Sequence, residues 1–315
     1  MAGSPATPSG PCPPKPAELG DREVLWLFAL IAGVLFGLFY GLAALGLNLI
    51  FGVMRVVNLA HGDIIMLGGF AAVLLFDHFD INPLIALLLV IPPALLVGYL
   101  AYYLLAARVR RTRDPEMMSL VLFFGVSQVI EALAVIFFGN NQAAIGAPVF
   151  GPHPFTIAGQ VIPNAWIVSA GVGLLALVLL YFYLYRSSLG RATRATMSSS
   201  DEARTAGIDP ARISAITFGI GTALAAVAGV LAIFMLGGTQ ASEGVDITVT
   251  AFAVIVIGAL GSPMGTFAGG IVFGLALMFT QTYAPAWSGF APYGILLVIM
   301  LVRPRGLLGR TVRSV

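Results

Sequence analysis

The chain reads as an all-α integral membrane protein, a polytopic helical bundle of about eight or nine spans with broken or re-entrant helices and a candidate internal repeat. Two observations predict this class. The 315 residues are 59% hydrophobic and 10% charged, with a mean hydropathy of +0.97, whereas globular chains carry about 25% charged residues. The apolar residues also fall into long runs, two of which are separated by the polar stretch Phe51-Gly-Val-Met-Arg-Val-Val-Asn-Leu-Ala-His-Gly-Asp63. Ionisable groups at membrane depth face a bundle interior or a wet path. Irregular backbone survives there only where protein or water satisfies its amides.

Taken in order, residues 1–22 are Pro-rich, lack apolar periodicity and a signal-peptide core, and read as a disordered tail. The lone cysteine, Cys12, lies in that tail, which excludes an intrachain disulfide and an all-cysteine metal site. Runs 24–50, 84–107, 117–138, 162–185 and 213–236 each satisfy the need of a spanning helix for about 20 mostly apolar residues. Stretches 64–76, 247–260, 266–283 and 293–302 are shorter or interrupted by Gly and Pro, and are the candidates for broken or re-entrant helices. The membrane domain therefore covers 23–304, and 305–315 form a C-terminal tail.

Loop charges orient the set. Arg108, Arg110, Arg111 and Arg113 share one loop, and Arg186, Arg191, Arg194, Arg204 and Arg212 another, so both are expected in the cytoplasm. Residues 139–161 contain no Lys or Arg, and 77–82 and 237–246 carry acids without basic residues; these belong outside. Arg303, Arg305, Arg310 and Arg313 place the C-terminus in the cytoplasm. The side of the N-terminus depends on the span count. A net charge of +2 offers nothing to nucleic acid.

The two halves share a pattern in which a long helix leads to a break and then a Gly-containing helix. The first break is residues 58–63; the second is Gly258-Ala-Leu-Gly-Ser-Pro-Met-Gly265. Paired interruptions point to a translocation pathway, because half-helix ends present unpaired amides and carbonyls near the midplane. Close helix packing by small residues is the alternative for the glycines alone.

Four motifs carry a resemblance. The segment Gly46-Leu-Asn-Leu-Ile-Phe-Gly-Val-Met-Arg-Val-Val-Asn-Leu-Ala-His-Gly-Asp-Ile-Ile-Met-Leu-Gly68, with its Asn-x-Ala-His-Gly core, closely resembles permease subunits of branched-chain amino-acid ABC importers. Ser188-Leu-Gly-Arg-Ala-Thr-Arg-Ala, leading to Asp201-Glu-Ala-Arg-Thr-Ala-Gly-Ile-Asp209, is similar to that family's coupling loop. Gly258 to Gly265 resembles its Gly-Gly-x-Gly-Ser-x-x-Gly turn, with Ala259 in place of the second glycine. Arg303-Pro-Arg-Gly-Leu-Leu-Gly-Arg310 resembles its C-terminal ending.

The resemblance implies an ATP-driven importer of the bacterial inner membrane that carries branched-chain amino acids, or a related small polar metabolite, by alternating access. It implies a second homologous permease, forming a heterodimer or homodimer with this chain, two ATP-binding subunits and an extracytoplasmic substrate-binding protein. The loop over residues 186–212 would couple to the ATPase through Gly190, Arg191, Arg194, Asp201, Glu202, Ala203, Gly207, Ile208 and Asp209. Its short helix would be capped by the 198–201 cluster and ended by Gly207. No cofactor is expected on this chain, with ATP and Mg on the partner ATPases, because the sequence lacks a phosphate loop. His61, His78 and His153 have no metal-ligand spacing. The chain is expected to be a transport subunit, not an enzyme.

For the pathway and its helix breaks the candidates are Asn58, His61, Gly62, Asp63, Gln128, Glu131, Gly258, Gly261, Ser262 and Gly265. His61 either lines the path or is a scaffold histidine bonded to nearby backbone; Arg55 and Asp63 are also readable as markers of the aqueous boundary. Glu131 lies one turn from Gln128 inside run 117–138, and a carboxylate there calls for a partner. The rival reading is a self-sufficient channel or ion-coupled secondary transporter for a solute such as urea or an amide. In it, Glu131, His61 and Asp63 would carry the coupling ion.

Overall fold

The structure, a computed structural model, describes residues 19–109, 112–146, 149–151, 154–157 and 159–309. Residues 1–18 of the tail, with Cys12, and Arg110, Arg111, His153, Arg310 and Arg313 lie outside the described residues.

Helix α1, Leu19–Met54, is 36 residues long, or about 54 Å at 1.5 Å per residue. It is followed by α2 (His61–Phe79), α3 (Pro83–Ala101) and a π-helical turn (Tyr102–Ala106) that continues into α4 (Ala107–Val109). Pro92 and Pro93 interrupt the α3 ladder, and the π turn follows a few residues later. Helix α5 (Pro115–Phe138) leads to a hairpin, β1 (Phe155–Ile157) and β2 (Gln160–Ile162), paired antiparallel with Phe155 opposite Ile162. Then come α6 (Asn164–Arg186), two short helices α7 (Ser188–Ser198) and α8 (Ser200–Thr205), and α9 (Pro210–Met235). The chain closes with α10 (Gly244–Gly258), α11 (Pro263–Tyr283) and α12 (Ala291–Val302).

Seven described helices are long and apolar enough to cross a membrane, and α10 and α12 are shorter apolar helices. Two stretches expected to be short are full length. Run 64–76 belongs to a 19-residue helix and run 266–283 to a 21-residue one. His61, Gly62, Asp63 and Pro263, where the hydropathy dips, form the first turns of these two helices, which extends each beyond its apolar run. Helices α10 and α12, with 15 and 12 residues, reach about 22 and 18 Å, short of the roughly 30 Å hydrocarbon layer.

Helix α9 is the centre, with 83% of its most apolar stretch buried against 17% for α5. Its small residues permit that. Gly221 meets Gly46 of α1, Gly229 meets Ile65 of α2, and Gly219 meets Leu95 of α3. Helix α1 runs antiparallel to α11, with Gly33, Gly37 and Gly41 against Leu275, Ile271 and Phe267. In lipid, close approach of backbones replaces the hydrophobic effect as the force between helices. Helices α3, α5 and α6 form the periphery and carry exposed Leu, Val and Phe along their outer faces.

Candidate functional site

The first break starts where Arg55, exposed and at φ 53, turns the chain out of α1. Residues 56–60 run without helical structure, and the Val57 amide donates to Ser119 Oγ of α5 at 3.0 Å. Asn58, 1% exposed, folds the segment back: its Oδ1 accepts the Ala60 amide at 3.1 Å, an Asx turn that starts α2.

His61 is fully buried, and its Nε2 sits 2.9 Å from the Ala43 carbonyl of α1. A carbonyl only accepts, so the proton is assigned to Nε2 and Nδ1 keeps a lone pair. That geometry makes His61 a brace between α1 and α2, while its buried Nδ1 has no partner. The Gly62 amide donates to Thr248 Oγ1 of α10 at 2.7 Å, and the Thr248 hydroxyl lies 2.9 Å from Leu59 O and 3.0 Å from Gly244 O. A β-carbon at residue 62 would strike the Gly244 carbonyl, so the junction of α2 and α10 needs glycine.

Asp63 is also fully buried, with both carboxyl oxygens unpartnered, and its Oδ1 lies against Gly244. On α5 the neighbouring groups are Ser127, whose buried Oγ is unpartnered, and Glu131. The two helices run side by side there, with Phe70 stacked on Phe138 at 4.2 Å. Gln128 Nε2 donates to Glu131 Oε2 at 3.3 Å. Gln128 is exposed, whereas Glu131 is half-buried with its Oε1 covered and unpartnered.

The second break closes α10 at Gly258 and opens α11 at Pro263. Ala259 sits at φ 150 and Gly261 at φ 77; the first is a conformation that side chains other than glycine's rarely adopt. Ser262 caps α11 by accepting the Gly265 amide at 3.1 Å. Gly258 and Gly265 face one another so closely that a β-carbon on Gly258 would strike the Gly265 carbonyl.

Asn48 of α1, 1% exposed, holds this break. Its Nδ2 donates to Ser262 O at 3.0 Å, to Ala259 O at 3.3 Å and to Thr266 Oγ1, and its Oδ1 accepts the Gly261 amide at 2.6 Å. Sequence reasoning did not single it out. The available signal was an amide within a continuous apolar run. The C-terminal segment completes the arrangement, as the Leu307 and Leu308 amides donate to Ile257 O and Gly258 O at 2.9 and 3.0 Å. Two of the carbonyls that α10 leaves open at its end are thereby satisfied, so residues 306–308, read as tail, are part of the fold.

The two breaks do not touch each other but share two helices. Helix α1 meets His61 at Ala43 and the second break at Asn48; α10 begins against Gly62 and Asp63 and ends in the second break.

The loop between α6 and α9 is mostly helical. Gly190 allows a sharp corner, since its β-carbon would meet the Tyr183 carbonyl, and Ser187 Oγ accepts its amide at 2.8 Å. Arg194 lies over the Tyr185 ring at 4.5 Å. Ser199 caps α8 through the Glu202 amide at 3.2 Å, and Gly207, at φ 78, ends it, with the Ile208 amide on Ala203 O at 3.0 Å. Asp209 caps α9 through the Ala211 amide at 2.9 Å. Arg191, Arg194, Asp201, Glu202, Gly207 and Asp209 are exposed, Ile208 is half-buried, and Gly190 and Ala203 are buried. Met197 of α7 packs on Gly52 of α1 beside Gly261, a link between this loop and the second break that sequence reasoning also missed. Among the described residues no cluster of His, Cys, Asp and Glu is arranged to hold a metal.

Comparison with known proteins places this geometry in context. The family described as branched-chain amino acid transport system, permease component, matches residues 29–300. The chain is 29% identical to the high-affinity branched-chain amino acid transport system permease protein BraD of Pseudomonas aeruginosa, over 90% of this chain and 96% of that protein. It is 27% identical to the permease protein LivH of Escherichia coli, over 93% and 98%, and 25% identical to the permease protein LivM of the same organism, over 91% and 73%. No solved structure matches the chain.

Proposed function

The chain belongs to the family of branched-chain amino acid transport permeases, a multi-pass membrane protein and not an enzyme, and on that premise we propose that it is the membrane subunit of an ATP-driven importer. Its cargo is a branched-chain amino acid, and its setting the bacterial inner membrane, with the arginine-rich loops on the cytoplasmic side. Its partners are a second permease, which the likeness to both LivH and LivM permeases favours as a heterodimer, two ATPases carrying ATP and Mg, and an extracytoplasmic binding protein.

The observation that carries this reading is the line of contact from α7 to the second break. The exposed charges of α7 and α8 form a docking surface, and Met197 passes a displacement of α7 to Gly52 and Gly261. Gly261 is held by Asn48 of α1, and α1 holds His61 through Ala43. Close-packed contacts of this kind transmit small shifts without absorbing them. Both breaks would then move together when the ATPases close. Asn58, His61 and Gly62 act as scaffold of the moving part rather than as selectors of cargo, since their polar atoms are largely engaged by backbone and Thr248.

The unpartnered carboxyl groups of Asp63 and Glu131 favour a second reading, ion-coupled transport by this chain alone. Proteoliposomes decide between them. Leucine uptake that requires ATP, the partner ATPases and the binding protein supports the importer; uptake by the chain alone along an ion gradient, without ATP, supports the second reading.

A further inference from the structure

A cavity of about 260 Å³ lies where α1, α2 and the start of α10 meet, next to the first break. Its apolar lining includes Phe39, Ala43, Ile65, Leu236 and Ile247. Its polar lining is Tyr40, Glu243, Asp246 and Thr250, and no Lys, Arg or His lines it. It is smaller than the roughly 300–1,000 Å³ pockets that hold drug-sized ligands, which suits a small metabolite.

Charge sets the chemistry of the ligand. Glu243 is half-buried and Asp246 is exposed, and neither has an ion-pair partner among the described residues. A partly desolvated carboxylate without a counter-charge is costly. Asp63, outside the cavity lining, is fully buried with both oxygens unpartnered, and its Oδ1 lies against Gly244, which stands between the two cavity acids in sequence. Glu131 continues the row on α5. No cationic side chain lines the cavity beside Glu243 and Asp246, and a bound cation would serve both. Helix α10 also begins here without a side-chain cap, so its first-turn amides, at the positive end of the helix dipole, suit a carboxylate.

We infer that this cavity is a binding site for a zwitterionic aliphatic amino acid, whose ammonium group is received by Glu243 and Asp246, its carboxylate by the start of α10, and its branched side chain by Ile65, Leu236 and Ile247. The inference rests on the importer reading for the identity of the cargo. Asp63 is the next acceptor for the ammonium group once α2 and α10 separate at Gly62 and Gly244. Of that aliphatic wall, Ile65 belongs to α2, the helix braced by His61, so movement of the first break would reshape the site.

The test uses the full chain in nanodiscs, with Cys12→Ser removing the native thiol and Ile247→Cys placing one in the cavity wall. Labelling by a cationic methanethiosulfonate should exceed that by an anionic one by about tenfold, the size expected of an interaction with a charged group. L-Leucine should slow labelling, whereas 4-methylpentanoate, which lacks the ammonium group, and 3-methylbutylamine, which lacks the carboxylate, should protect at least about tenfold less well. Glu243→Gln should abolish the reagent preference, and Asp246→Asn reduce it. Equal rates for the two reagents, or equal protection by leucine and 4-methylpentanoate, would overturn the site. A second measurement follows ATP-driven leucine uptake by the complete importer. A higher KM in Glu243→Gln with normal membrane levels supports the site, and an unchanged KM in both acid variants overturns it while leaving the importer reading intact. Absence of ATP-driven uptake by the wild-type assembly, with selective labelling retained, removes the importer reading and leaves the cation-selective cavity.

Discussion

Asn48 accepts the Gly261 amide at 2.6 Å across 213 residues of sequence. With this bond and those to Ala259 and Ser262, one side chain of α1 holds the whole turn between α10 and α11. Asn48→Leu leaves the Gly261 amide without its partner, at a cost of about 1–3 kcal/mol, and takes one donor from each of the Ala259 and Ser262 carbonyls. The variant is expected to lower the thermal midpoint of the protein in detergent, and Asn48→Asp, which retains an acceptor for Gly261, to lower it less.

Ala259→Gly is expected to stabilise. A non-glycine residue at φ 150 stores about 1–3 kcal/mol, partly offset by about 0.5–1 kcal/mol from the greater freedom of glycine in the unfolded chain. The net gain of about 1 kcal/mol should appear as a higher thermal midpoint, and Ala259→Val should lower it.

Gly207→Val forces a β-branched residue into φ 78 at the end of α8, where about 1–3 kcal/mol of strain distorts the helix end. A β-carbon there meets nothing within 4 Å, so the fold and membrane insertion should survive. The expected outcome is normal membrane abundance with reduced uptake per ATP hydrolysed. Met197→Ala should have the same signature, because it removes the contact with Gly52 beside Gly261. Unchanged coupling in both variants would argue against docking through α7 and α8.

Glu243 gives a pH prediction. Partial burial pushes its carboxyl above the ordinary value; its hydrogen bond with the Gln240 backbone opposes this in part, and the charge of Asp246 adds a smaller push upward. The other titratable groups at the cavity are Tyr40 of α1 and Tyr293 of α12, which lies 3.1 Å from Thr250 Oγ1. Ammonium binding needs the ionised carboxylate. Affinity should therefore be full above the raised pKa of Glu243 and fall as pH drops through it, at milder acidity than an ordinary glutamate would require. The ratio of labelling rates of Ile247→Cys with and without leucine, taken at each pH, measures this. In Glu243→Gln this pH dependence should be lost.

Residues 117–138 and 213–236 were legible as spanning helices because hydropathy is a property of a contiguous run, and a run that long cannot be paired with water in a bilayer. The break before His61, the end of α8 at Gly207 and the substituted glycine at Ala259 were equally readable, since each is a local departure from the backbone preferences of its neighbours. The length of α2 was not. His61, Gly62 and Asp63 look like a gap in an apolar run, yet they are helical because Ala43, Thr248 and Gly244 enclose them.

The sequence by itself determined the class of the protein, five of its seven long apolar helices, the loops expected in the cytoplasm and the two breaks between helices, all consequences of short-range chemistry along the chain. Only the tertiary structure decided what those stops are for. It set Asn48 on a turn more than two hundred residues away, Met197 on Gly52 beside Gly261, residues 307 and 308 on the open end of α10, and Glu243 and Asp246 in one cavity with apolar residues of α1 and α2. A hydrogen-bond partner or a cavity wall is defined by proximity in space. No window along the sequence contains both sides of it.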